Sequence, residues 1–151
     1  MMSDSDKATV SILNDLIETC RDGQKGFLAC ADNVTPPPLK ELFQRRSGEC
    51  ELAAEQLEKQ VLELGGRPEH GTSVGADLHR RWIDLRAWVS GKDEAAVLSE
   101  CERGEGVALQ HYTDALKQAL PMDIREMVER QYAGVIRNLD QIRALRQQMG
   151  G

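Results

Sequence analysis

Residues 10–34 read VSILNDLIETCRDGQKGFLACADNV. Val10, Leu13, Ile17, Cys20, Gln24, Phe27, Ala31 and Val34 recur in alternating steps of three and four, and Gln24 is the one polar member. This spacing keeps returning to one face of a 3.6-residue helix, so the stretch predicts a bundle-facing helix over about 8–34. Thr35 can cap a following helix and Pro36 suits a first helical position, which makes the segment around Thr35-Pro36-Pro37-Pro38 a tight helical hairpin. The second helix, about 37–65, repeats the spacing with Leu39, Phe43, Arg46, Cys50, Ala53, Leu57, Gln60 and Leu64, and stops at Gly65-Gly66.

The same periodicity continues downstream. Leu78, Trp82, Leu85 and Val89 form the stripe of a shorter helix within 66–92. Leu98, Cys101, Glu105, Ala108, Tyr112, Ala115 and Ala119 mark a helix over about 93–120. Pro121 punctuates, Asp123 with Glu126 resembles a capping box, and Ile124, Val128, Gln131, Val135, Asn138, Ile142, Leu145 and Met149 complete a helix over 122–149. No strand alternation appears. Two hairpins, 8–65 and 93–149, joined by a long connection predict one all-α domain over 1–151: a ferritin-like four-helix bundle with a crossover at 66–92 holding the short helix.

Composition narrows the function classes. The 151 residues carry 19 basic and 25 acidic side chains, a formal charge of −6, with no Lys/Arg cluster. Counterion release on a phosphate backbone needs concentrated positive charge, so nucleic acid is not expected as a partner. No apolar run approaches the roughly 20 residues a bilayer span needs, and no charged-then-apolar leader opens the chain, so the expectation is a cytoplasmic protein without a membrane partner.

The informative residues are the polar ones at seam positions: Gln24, Arg46, Gln60, Glu105, Gln131 and Asn138. Counted from one end of the bundle, Gln24 lies 11 residues before Thr35, Glu105 lies 12 beyond Asp93, and Asn138 lies 11 before Met149; Arg46 and Glu49 fall at a similar depth. Gln24, Arg46 or Glu49, Glu105 and Asn138 are therefore expected to share one buried layer drawn from all four helices. A di-metal centre at such a layer uses carboxylates and Glu-x-x-His pairs. The three histidines, His70, His79 and His111, are preceded three positions earlier by Arg67, Ala76 and Ala108, so no such pair exists. Two neutral amides and an arginine favour a hydrogen-bonded polar plug, with Arg46 pairing Glu105 or Glu49. Under the metal alternative, iron or another divalent ion would use Gln24, Glu49, Glu105 and Asn138. Glu18 and Glu51 sit beside the seam and are expected on a solvated face.

Cys20, Cys50 and Cys101 fall on the seam and Cys30 flanks it, without Cys-x-x-Cys spacing, so they are expected as reduced core thiols. Cys50 lies one turn from Arg46, which makes it the first candidate for a redox-sensitive thiol, although burial opposes its ionisation. Trp82 belongs to the short helix's stripe, leaving His79, Arg80 and Arg81 as solvated charge rather than a binding patch. Tyr112 is expected as a core aromatic whose hydroxyl meets the Gln131 amide, with His111 at the bundle margin. No nucleophile elbow, phosphate loop or hydrolase triad is legible, so no catalytic residue and no cofactor is assigned.

Five segments carry a resemblance: LNDLIET at 13–19, DGQKGF at 22–27, LGG at 64–66, LHRRW at 78–82 and ECERGE at 100–105. Together they resemble an uncharacterised bacterial domain-of-unknown-function family of ferritin-like four-helix-bundle proteins. The resemblance implies mainly the fold. By it, Gln24 stands where relatives often carry Glu, Glu105 where the third bundle helix places a ligand, and Asn138 or Leu139 in the usual histidine region. The resulting expectation is a non-catalytic bundle, stress-associated or engaged in protein interaction or self-association, with a degenerate metal layer. The alternative is a ferritin-like iron-binding oxidase or metal store.

Overall fold

The computed structural model describes residues 2–68 and 94–148. Those residues form four long helices and no strand: α1 (Asp4–Asp32), α2 (Pro37–Glu63), α3 (Glu94–Leu116) and α4 (Met122–Gln148). The expected crossover helix, with Leu78, Trp82, Leu85, Val89 and the His79-Arg80-Arg81 segment, lies outside the described residues, as does Met149.

Helix ends follow local chemistry and correct the expected boundaries. α1 begins earlier than expected because Ser3 and Asp6 form a reciprocal capping box: the Asp6 amide donates to Ser3 Oγ at 3.0 Å and the Ser3 amide to Asp6 Oδ2 at 3.4 Å. Thr35 does not cap α2. A residue followed by proline is pushed towards extended backbone, so Pro36 (φ −61°, ψ 124°) is the cap residue and Pro37 opens the helix. The Thr35 hydroxyl instead donates to Glu94 at 3.1 Å. The Gly65-Gly66 stop holds as expected. Gly65 takes φ 89°, its amide reaches the Leu62 carbonyl at 3.0 Å, and the Gly66 amide reaches that of Val61 at 2.9 Å, the two bonds of a Schellman end.

The α3–α4 turn is closed by an arginine. α3 ends at Leu116, short of the expected 120, and the Arg125 guanidinium donates to the carbonyls of Leu116 and Gln118 at 2.9 and 2.5 Å. Asp123 is not the cap residue. The Pro121 carbonyl accepts the Arg125 amide at 2.8 Å and starts the turn, which places Asp123 inside it, where a carboxylate favours the helix dipole.

Helix α1 packs against α2 and α3, α3 packs against α4, and α2 meets α4 only sparsely. Cross-helix bonds give the directions. Residues 19 and 20 meet 111 and 112 while 30 meets 101, so α1 and α3 run antiparallel; 45 meets 141 and 56 meets 131 through Gln131, so α2 and α4 do too. Each helix is thus antiparallel to both neighbours. The chain leaves α2 at the end where Gly66 abuts Val10 and enters α3 at the opposite end, beside Thr35.

Apolar side chains fall into two clusters. One gathers around Leu13, Ile17, Leu57, Val61 and Val128, the other around Phe27, Phe43, Val97, Leu98 and Ile142. Phe27 and Phe43 stack with ring centroids 6.1 Å apart. Polar side chains occupy the level between the clusters. Among the described residues no helix is long and apolar enough to cross a membrane.

Candidate functional site: a mid-bundle ion pair and the cavity beside it

Arg46 projects from α2 and meets Glu105 from α3 in a two-point pair. Nε donates to Oε2 at 2.8 Å and Nη2 to Oε1 at 3.0 Å, a geometry that matches the planar guanidinium to the carboxylate plane. From α4, Asn138 Nδ2 donates to the same Oε2 at 2.5 Å. The third Arg46 nitrogen, Nη1, reaches Glu49 at 3.3 Å. Arg46, Glu105 and Asn138 are all buried, Glu105 to 1% exposure, so three helices meet through charge at mid-height. Burial works against the Arg46 charge, but the Glu105 and Glu49 carboxylates beside it favour the charged form and hold the guanidinium above its ordinary pKa.

The expected layer therefore forms from Arg46, Glu105 and Asn138, with Glu49 at its edge, and without Gln24. Gln24 is half-buried at the α1–α2 margin, where its Oε1 accepts from Arg21 at 2.9 Å and its Nε2 donates to Glu51 at 2.9 Å. Gly23, not Gln24, faces the interior: a Cβ there would stand 2.9 Å from Cys50 Sγ. Glu51 is exposed as expected, but Glu18 is buried, because Leu16 to Cys20 of α1 are covered in one unbroken run and not along one stripe. Gln60 is half-buried.

This donor set does not fit a di-metal centre. Both Glu105 oxygens are engaged by Arg46 and Asn138, Glu49 is 47% exposed, Gln24 lies elsewhere, and a guanidinium stands where a cation would have to sit. Among the described residues no group of three or more His, Cys, Asp or Glu side chains is arranged to hold a metal ion.

A second polar tier lies towards the Leu13–Val128 cluster, about 10 Å along α3 at 1.5 Å per residue. Tyr112 Oη donates to Gln131 Oε1 at 2.7 Å, as expected, and stands 3.2 Å from Cys20 Sγ. Gln131 Nε2 continues the chain to Gln56 Oε1 at 3.1 Å, on the surface. His111 is half-buried at the margin, its Nδ1 2.7 Å from Thr19 Oγ1.

Alongside both tiers runs a cavity of about 240 Å³. Its walls include Phe27, Cys20, Cys50, Ala53, Ala108 and Val135, and the exposed Glu49, Gln56, Arg130 and Arg137 stand where it opens between α2 and α4. Gly23, Gly104 and Gly134, on three different helices, are among the residues that line it. Sequence reasoning missed these glycines and the two arginines. A glycine inside a helix costs about 1 kcal/mol relative to alanine, so the six glycines within the described helices, these three among them, were the available signal.

All four cysteines are free and buried, Cys30 included. Burial raises the Cys20 thiol to about 11 and pushes Cys50 and Cys101 upward as well, the nearby Arg46 notwithstanding. These thiols stay protonated at neutral pH and behave as small apolar groups. The Sγ atoms of Cys30 and Cys101 lie 2.7 Å apart across the α1–α3 interface.

Residues 8–118 match the model of a family described as a domain of unknown function, DUF2383. No curated protein matches the chain.

Proposed function

We propose that this chain, which belongs to the DUF2383 family, is a ferritin-like four-helix bundle that works as a non-catalytic, stress-associated interaction or assembly module. Its level for metal chemistry is given over to an ion pair. The antiparallel neighbours, and an α2 end and α3 start at opposite ends of the bundle, support the ferritin-like arrangement of two hairpins and a long connection. The observation that carries the functional part is the two-point Arg46–Glu105 pair with Asn138 on the same carboxylate. A fixed positive charge at mid-height opposes cation entry, and its removal would be needed before carboxylates could converge on an ion. The module therefore acts through its surface, on a second copy or another protein, in the cytoplasm.

Metal analysis of protein purified from iron-supplemented cells tests this directly. Substoichiometric iron, unchanged in Glu105→Ala, is the expected result. Stoichiometric iron that disappears in Glu105→Ala would establish a metal oxidase or store and overturn the proposal. Solution mass at several concentrations then reads self-association; a monomer at every concentration leaves a different protein as the partner, to be sought by cross-linking in cells.

A further inference from the structure

We propose that the mid-bundle cavity binds a small carboxylate with a short apolar tail, the tail inside the bundle and the carboxylate at the α2–α4 opening. This goes beyond the interaction reading and does not depend on it. Size sets the first limit. A dry apolar cavity of about 150 Å³ accepts benzene, so 240 Å³ has room for roughly ten non-hydrogen atoms. Such a space suits a medium-chain or aryl carboxylate and excludes nucleotides and cofactors with large rings.

Wall chemistry sets the second limit. Phe27, Ala53, Ala108 and Val135 are apolar, and the Cys20 and Cys50 thiols are neutral groups that favour an apolar tail. The buried charges beside the cavity are already matched, Arg46 by Glu105 and Glu49. Asp22 lines the α1 wall, across from the opening, which disfavours a carboxylate at that depth.

Charge at the opening fixes the headgroup. Arg130 and Arg137 are exposed, stand two helical turns apart on α4 with Gly134 between them, and make no hydrogen bond or ion pair among the described residues. A Cβ on Gly134 would lie 3.6 Å from Arg137 Nη2 and 3.7 Å from Arg46 Nη1, so two guanidinium edges converge on the spot that the glycine leaves open. Over the whole lining Arg46, Arg130 and Arg137 are balanced by Asp22, Glu49 and Glu105, but at the opening the two exposed guanidinium groups of Arg130 and Arg137 face a single exposed carboxylate, Glu49, so positive charge predominates there on a chain whose net charge is −6. Arginine's planar fork binds a carboxylate at two points, whereas an amine or an alcohol offers it no such match.

Calorimetric titration of the full chain with octanoate, octan-1-ol and octylamine tests the inference. The expected result is one octanoate per chain, bound about ten-fold more tightly than the alcohol or the amine. Arg137→Gln, a change at an exposed position, should bring octanoate down to the alcohol's affinity and leave the alcohol unchanged. Gly134→Leu should abolish binding of both by filling the opening, while Gly134→Ala, whose Cβ stands at ordinary contact distance, serves as the folded control. Equal affinity for octanoate and octanol would overturn the headgroup assignment. Octanoate binding untouched by both Arg137→Gln and Gly134→Leu would place the ligand elsewhere, and absence of binding at about 10 mM octanoate, a very weak regime, would sink the proposal outright.

Discussion

The two polar tiers of the bundle solve the same problem in different ways. At the Arg46–Glu105–Asn138 tier the groups are charged, every nitrogen of the guanidinium has a partner, and helices α2, α3 and α4 are tied together. At the Cys20–Tyr112–Gln131 tier the groups are neutral and the hydrogen-bonded chain runs outward to Gln56. A buried charge must be matched because its desolvation is so costly, whereas a buried neutral hydroxyl asks only for a hydrogen-bond partner. The cavity runs past both tiers, with Arg46 and Glu105 in its wall as well as Cys20 and Tyr112, so the charged tier keeps its geometry beside open volume through its hydrogen bonds.

Removing the arginine breaks the charged tier most severely. Arg46→Ala should cost about 3–5 kcal/mol in urea denaturation, because Glu105 is left buried without its counter-charge. Replacing the whole tier sharpens the point: Arg46→Met, Glu105→Leu and Asn138→Leu together should recover most of that loss, since a well-packed apolar layer carries no desolvation cost. A triple variant as unstable as Arg46→Ala would show that the tier is more than an ion pair in a core.

Between the tiers, Gly23→Ala should destabilise by about 1–2 kcal/mol through the clash of its Cβ with Cys50 Sγ. Adding Cys50→Ala should remove the clash, and the double-mutant cycle should give a coupling of the same size. At the neutral tier the expected loss is smaller. Tyr112→Phe removes the bond to Gln131 and should cost about 1 kcal/mol in the same assay.

The smallest effect belongs to a surface bridge outside both tiers. Glu102 accepts from Arg146 and Arg143; the Arg146 bond foremost lowers its pKa below the ordinary carboxylate value, against the opposing effect of burial. Its contribution is therefore present above the unfolded-state pKa and is lost as the pH falls through the lowered folded value. Glu102→Gln should cost about 0.5 kcal/mol at neutral pH and flatten the acid limb of the stability profile. An unchanged limb would show that the bridge is too screened to matter.

Helix periodicity makes the four described helices legible, and counting residues from the bundle end brings Arg46, Glu105 and Asn138 to one level from the sequence alone. Counting failed at Gln24 because adjacent positions 23 and 24 lie 100° apart on a helix, and a glycine gives no side-chain signal that it, and not its polar neighbour, faces inward. Glu18 escaped for a related reason: a single-stripe reading assumes one covered face, whereas Leu16 to Cys20 are all buried. Thr35 and Asp123 looked like caps by type, yet the prolines beside them decided where the helices begin. The cavity was invisible because volume arises only where residues from several helices fail to meet.

One property of the packing bears on every charge in the interior. Because each helix points opposite to both of its neighbours, the peptide dipoles oppose one another around the ring and their far fields largely cancel. The backbone then lends little electrical preference to either end or to the centre. Discrimination between anion and cation at the opening therefore rests on a handful of side chains, Arg130, Arg137 and Glu49 among them.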